Sequence, residues 1–160
     1  MPGNFRFAGL TMEGPNGPPD SWHSYLSVAR SLIRGLDCFP EESHPSNTAH
    51  IFLCCHISEC VLKAFISYSY GNDTRLSEPN LRHNLTALWR LAAERGLGID
   101  AEEPEWLEQL DFLHNRPFYI RYQKGIGNFA VPSPQPARSE IKRIFAIVSA
   151  AVPPDPVAPQ

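Results

Sequence analysis

The strongest constraint on the fold is a long segment that is apolar on nearly every side of a helix. This helix can begin at Ser46 or Asn47, run to about Tyr70, and stop at Gly71-Asn72. A helix this apolar in a small soluble protein has to be touched on several sides by other elements. The sequence therefore predicts a central helix with neighbours packed around it.

Four further segments carry the three-and-four spacing of apolar residues that is typical of amphipathic helices. They are a first helix after Asp20 that ends near Gly35, a third from about Leu81 to Arg95, a fourth that starts near Pro104 and that Pro117 bends or ends, and a last from about Ser139 to Ala150. No run shows sustained strand alternation, and residues 123–137 have the composition of a loop. We expect an all-α bundle of four or five helices.

The 160 residues suit one folded domain of ordinary size. Residues 1–19 are rich in Gly and Pro, which makes continuous helix or sheet costly, so we expect an irregular N-terminal arm. The bundle is expected over residues 20–150. Residues 151–160 are proline-rich and are predicted to form a flexible tail.

Charge restricts the partners that the chain can recognise. A net charge of −3 does not give the positive potential that a protein needs to bind along a nucleic-acid duplex, so any nucleic-acid contact has to be local. Between Phe112 and Arg143, six basic residues stand against Glu140 alone, with aromatic residues interleaved. Such a stretch can hold a phosphate and stack a base, although it also fits a solvated face beside core aromatics.

Sequence features also bear on location and thiol chemistry. The start lacks the pattern of a secretory signal, and the longest apolar stretches, near Ile51 and Ile144, fall short of the roughly 20 residues of a membrane span. Four cysteines without a disulfide framework favour reduced core thiols. We therefore expect a cytoplasmic protein without membrane contact.

Familiar catalytic and metal motifs are missing from the sequence. His56 with Cys60, and Cys55 with Glu59, are four apart on a helix, but a closed zinc site needs four ligands at suitable spacing. A serine nucleophile elbow, a phosphate-binding loop and a dinucleotide fingerprint are also absent. We expect no metal, no cofactor and no catalytic residue of these kinds.

Three short patterns in order along the predicted helices are more informative. Glu59 and Lys63 lie with His56 on one stripe of the apolar helix, His83-Asn84-Leu85 leads to Leu88, and Arg121-Tyr122 follows the fourth helix. These patterns resemble the Glu-x-x-Leu-Lys helix, the His-Asn-Leu helix start and the Arg-Tyr ending of the HEPN superfamily. The resemblance spans roughly residues 20–150.

The resemblance implies a helical bundle, often a homodimer, which in many members is a metal-independent ribonuclease. Those members carry an Arg followed after four to six residues by a His, and this chain lacks that spacing. Gln123 also replaces the residue expected after Tyr122. We therefore expect a noncatalytic HEPN-like domain that binds a phosphate-bearing ligand, either a nucleotide or RNA. The expected ligand-binding residues are Glu59, Lys63, His83, Arg121, Tyr122 and Lys124.

Three alternatives remain open. The same residues could form a structural cluster in which Arg121 pairs with Glu59 to fix helix register. The chain could be an interaction protein of a toxin–antitoxin pair, with an antitoxin or a nucleotidyltransferase as its partner. It could also be a ribonuclease that uses His83 or His114 in an unusual register.

Overall fold

The fold is an all-α bundle, as the sequence predicts. A computed structural model describes residues 21–40, 44, 47–122 and 130–154, and no strand occurs among them. The elements are α1 (Ser21–Asp37), α2 (Thr48–Tyr70), a 3₁₀ helix (Thr74–Ser77), α3 (Leu85–Glu94), α4 (Glu105–His114), the single turn α5 (Tyr119–Tyr122) and α6 (Pro134–Ala151).

Helix α2 is the centre of the bundle and has the bounds that the sequence indicates. The Asn47 side chain accepts hydrogen bonds from the amides of Ala49 and His50, at 3.1 and 3.2 Å. Gly71 ends the helix in the left-handed conformation, with φ of 69°. Helices α1, α3, α4 and α6 all pack against α2, which explains its apolar composition.

Helix α2 is also long enough and apolar enough to span a membrane by length and composition alone. The mean hydropathy of its most apolar window is 1.5, and 78% of that window is buried inside the protein. Burial of this extent is the ordinary state of a core helix. The cytoplasmic location stays a prediction.

Two helix starts differ from the sequence-based boundaries. Helix α3 begins at Leu85 rather than Leu81, because the side chain of Asn84 caps the Ala87 amide at 2.9 Å. The carboxylate of Asp111 accepts from the Leu85 amide at 2.5 Å and fixes the same end to α4. The helix starts where its first backbone amides have hydrogen-bond acceptors, rather than where the apolar spacing begins.

Helix α6 begins at Pro134 and not at Ser139, so part of the expected loop is helical. The first turn of a helix tolerates proline, because its amides lack intrahelical acceptors. At the other end α6 extends to Ala151, Val152 is buried, and the carbonyl of Pro153 lies 3.1 Å from Nε2 of His23. The expected arm at residues 1–19 and residues 155–160 of the expected tail lie outside the described residues.

Buried Arg138 anchors α6 to the rest of the bundle. Its guanidinium donates through Nε to Nε2 of His50 at 3.0 Å. It also donates to the carbonyls of Phe39 and Pro40, at 3.0 and 3.1 Å. One side chain therefore joins α6, α2 and the segment that follows α1. Helix α1 itself ends at Asp37, two residues beyond the Gly35 that the sequence indicates.

Candidate functional site

Four side chains from three parts of the bundle surround the buried carboxylate of Glu59, and we call these five residues the Glu59 cluster. They are His56, Glu59 and Lys63 from α2, His83 from the turn before α3, and His114 from the end of α4. Helical spacing places the three α2 residues on one stripe. The packing of α3 and α4 against α2 brings the two other histidines to it.

Glu59 is held by charged or polar groups on both of its carboxylate oxygens. Nζ of Lys63 donates to Oε1 at 2.5 Å. Nε2 of His114 lies 2.5 Å from Oε2, and Nδ1 of His83 lies 3.2 Å from Oε1. Burial alone would raise the pKa of Glu59, but the His114 hydrogen bond and the Lys63 ammonium outweigh it and lower the pKa to about 2.

An ionised carboxylate only accepts hydrogen bonds, so the hydrogens on the facing imidazoles can be assigned. Nδ1 of His83 and Nε2 of His114 each carry one. Nε2 of His83 then has no hydrogen-bond partner in the described part of the chain, on a side chain that is 24% exposed. Burial lowers the pKa of His56 and of His83, although Glu59 acts in the opposite direction.

The cluster is sealed on one side and open on the other. Glu59, Lys63 and His114 are buried, whereas the side chains of His56 and His83 are 38% and 24% exposed. The carboxylate therefore sits at the closed end, with two imidazoles between it and the surface. The cluster is therefore partly accessible to solvent, neither a fully buried ion-pair network nor an open cleft.

A strained turn forms the edge of the cluster, and we call Phe118, Arg121 and Tyr122 the rim. Phe118 has φ of 65°, which is uncommon for a bulky residue. Its ring lies edge-on to His83, with centroids 5.5 Å apart. The Arg121 guanidinium lies over the same ring at 5.4 Å. The Phe118 ring thus contacts both the imidazole and the guanidinium.

The structure brings some of the predicted site residues together and separates others. Lys63 and His83 both contact the carboxylate of Glu59. Arg121 is exposed and makes no ion pair with Glu59 among the residues described, so the structural pairing considered for it is replaced by contacts from His83 and His114. Tyr122 is 63% exposed, and Lys124 lies outside the described residues.

Sequence reasoning gave little weight to His114, although it makes one of the two shortest contacts to Glu59. A signal existed, because His114 follows Leu107 and Leu110 by seven and four residues and so continues the buried stripe of α4. A histidine on an apolar stripe needs a polar partner in the core. That partner is on α2.

Comparisons with the models of known protein families, with curated proteins and with solved structures find no match to this chain.

Proposed function

We propose that the protein is a noncatalytic, HEPN-like helical domain that binds a phosphate-bearing ligand, a nucleotide or single-stranded RNA, at the rim of the Glu59 cluster. One observation carries the proposal. Glu59 fixes His83 through Nδ1, and the Phe118 ring joins that imidazole to the Arg121 guanidinium. A hydrogen-bonding imidazole, an arginine and aromatic faces within one small region suit a nucleotide.

Arg121 is the phosphate-binding residue in this proposal. Its guanidinium is exposed, and it forms no ion pair within the described ranges. Packing over the Phe118 ring restricts its motion, so less side-chain entropy is lost when it binds an anion. Tyr122 is exposed beside it and offers a ring for base stacking. The expected contribution of Lys124 remains a prediction.

His83 supplies a second polar contact through Nε2. In the neutral ring this atom accepts a hydrogen bond, as a ribose hydroxyl requires, and in the protonated ring it donates to a phosphate oxygen. Both partners occur in one nucleotide. The bond from Nδ1 to Glu59 keeps the ring in one orientation, which lowers the cost of binding.

Lys63 has an internal role in this proposal rather than a ligand contact. Its ammonium is buried, and it donates to Glu59 and to the carbonyl of Arg82, at 2.5 and 2.8 Å. A ligand phosphate would have to displace these bonds to reach it. Lys63 instead keeps Glu59 ionised, so that the carboxylate can orient His83.

The test measures binding of a fluorescent single-stranded RNA octamer and of a nucleoside triphosphate at low ionic strength. We expect saturable binding that weakens as salt rises. Arg121→Ala should weaken it by about tenfold or more, as expected for loss of hydrogen bonds to a charged group. Arg143→Ala is the matched control. It removes the same charge from an exposed arginine on α6 that pairs with Glu140 and lies outside the proposed site.

Absence of saturable binding, or equal effects of the two arginine variants, contradicts the proposal. If the protein cleaves the RNA and His83→Ala abolishes that cleavage, the result would favour the ribonuclease hypothesis instead. The interaction hypothesis predicts a stable complex with a separate protein and no nucleotide effect on it. The expected homodimer and the nucleotidyltransferase or antitoxin partner remain predictions.

A further inference from the structure

Three residues of the Glu59 cluster have the chemistry and spacing of metal ligands. Glu59, His83 and His114 each offer one donor atom, and these atoms all lie within 4.8 Å of one another. Two imidazole nitrogens and one carboxylate oxygen are a donor set that zinc accepts with an open fourth position. The three residues come from different segments of the chain, so folding assembles the set.

One of the donor separations already matches the value that a tetrahedral ion needs. Zinc–nitrogen and zinc–oxygen bonds of about 2.0–2.2 Å place neighbouring donors roughly 3.4 Å apart. Nδ1 of His83 already lies 3.4 Å from Oε2 of Glu59. Nε2 of His114 lies 2.5 Å from the same oxygen, so it has to move outward by less than the length of one bond.

A fourth donor stands beside the set. Nδ1 of His56 lies 3.9 Å from Oε2 of Glu59, and this buried atom has no hydrogen-bond partner among the residues described. A buried polar atom without a partner is costly, and coordination would satisfy it. It is therefore a second observation, independent of the three-residue set, that indicates a ligand at this position.

Lys63 occupies one oxygen of the Glu59 carboxylate and limits the affinity of the site for a metal ion. Its ammonium donates to Oε1 of Glu59, whereas His114 and His56 approach Oε2. A cation bound at Oε2 would take the place of the hydrogens on Nδ1 of His83 and Nε2 of His114, which move to the other nitrogen of each ring, and would leave the Lys63 contact in place. The nearby ammonium repels a divalent ion, so removal of its charge should strengthen binding.

We propose that Glu59, His83 and His114, with His56 as fourth donor, form a binding site for a zinc-like divalent transition metal. This departs from the expectation of no metal, which rested on sequence spacing. The site shares Glu59 and His83 with the proposed ligand site but uses the other ring nitrogen of His83: a metal on Nδ1 leaves the hydrogen on Nε2, which then donates to a phosphate oxygen.

The test uses the full chain in a Cys38→Ser background, because Cys38 is an exposed thiol that could bind metal by itself. The chelator-treated protein is titrated with zinc chloride by calorimetry and with cobalt chloride by visible absorption. We expect one ion per chain and the intense visible bands of four-coordinate cobalt. His83→Ala should weaken binding by at least about tenfold. His44→Ala, which changes an exposed histidine outside the cluster, should leave it unchanged.

Two further variants make the result decisive. Glu59→Gln should abolish the cobalt bands, and Lys63→Met should tighten binding. Binding that is absent at micromolar metal, that survives both His83→Ala and Glu59→Gln, or that Lys63→Met leaves unchanged overturns the proposal. No nucleotide is present in these titrations, so their failure is distinct from failure of the RNA-binding assay. If Glu59→Gln does not fold, His83→Ala and Lys63→Met still decide the question.

Discussion

The buried Glu59–Lys63 pair leads to the most direct energetic prediction. We consider Glu59→Gln, Lys63→Met and the double variant. Glutamine keeps an oxygen that accepts a hydrogen bond, and methionine keeps the length of the lysine stem, so the variants remove mainly charge. We expect Glu59→Gln alone to destabilise the protein more than removal of both charges does.

The magnitude follows from distance and burial. Two unit charges 2.5 Å apart attract by about 7 kcal/mol at an effective dielectric constant of about 20, which offsets the desolvation of two residues that are only 4% and 8% exposed. Glu59→Gln leaves a buried ammonium without its counter-charge, and we expect a cost of about 3–5 kcal/mol. Lys63→Met should cost less, because His114 and His83 still hold the carboxylate.

The assay is equilibrium unfolding in urea at pH 7 for all four proteins, with a constant dependence on denaturant as the check on two-state behaviour. The double variant should be less destabilised than the sum of the singles by about 1–3 kcal/mol. Additive costs, or a cost of Glu59→Gln below about 1 kcal/mol, would refute the conclusion that the pair is buried and mutually compensating.

Three further predictions concern the frame around the cluster. His50 accepts a hydrogen bond from Arg138, and burial followed by the Arg138 charge lowers its pKa below the ordinary value of 6.5. The unfolded chain therefore binds more protons than the folded protein just below pH 6.5. The contribution of His50 to the free energy of unfolding is complete above pH 6.5 and is lost as the pH falls below it. Urea unfolding at pH 7 and pH 5 should show a smaller loss of stability for His50→Gln than for the unmodified protein. Asn84→Ala removes the cap of α3 and should cost about 1 kcal/mol in the same assay, whereas a cost near zero would contradict the capping role. Gly71→Ala places a side chain in the left-handed region and should cost about 1–2 kcal/mol, seen as a lower midpoint of thermal unfolding, while no change would argue against that conformation.

Local signals predicted the elements of this fold well where the deciding interaction is close in sequence. Asn47 and Gly71 set the ends of α2, because a cap and a left-handed residue act within one turn. The start of α3 was misplaced, because Asp111 on another helix supplies one of the acceptors. The start of α6 was misplaced, because prolines that usually indicate a loop are also tolerated in a first helical turn.

The candidate site shows the same division. The order of residues along the chain determined that Glu59 and Lys63 share a helix face, that this helix is central, and that the described ranges form helices and no strand. Only the tertiary structure decided which other side chains meet the carboxylate. His114 replaces Arg121 as a close partner of Glu59, since the packing of α4 on α2 sets a distance of 2.5 Å between residues 55 positions apart. Periodicity reports which face of a helix is buried, whereas the identity of its neighbour depends on how helices cross, and that is a property of the whole chain.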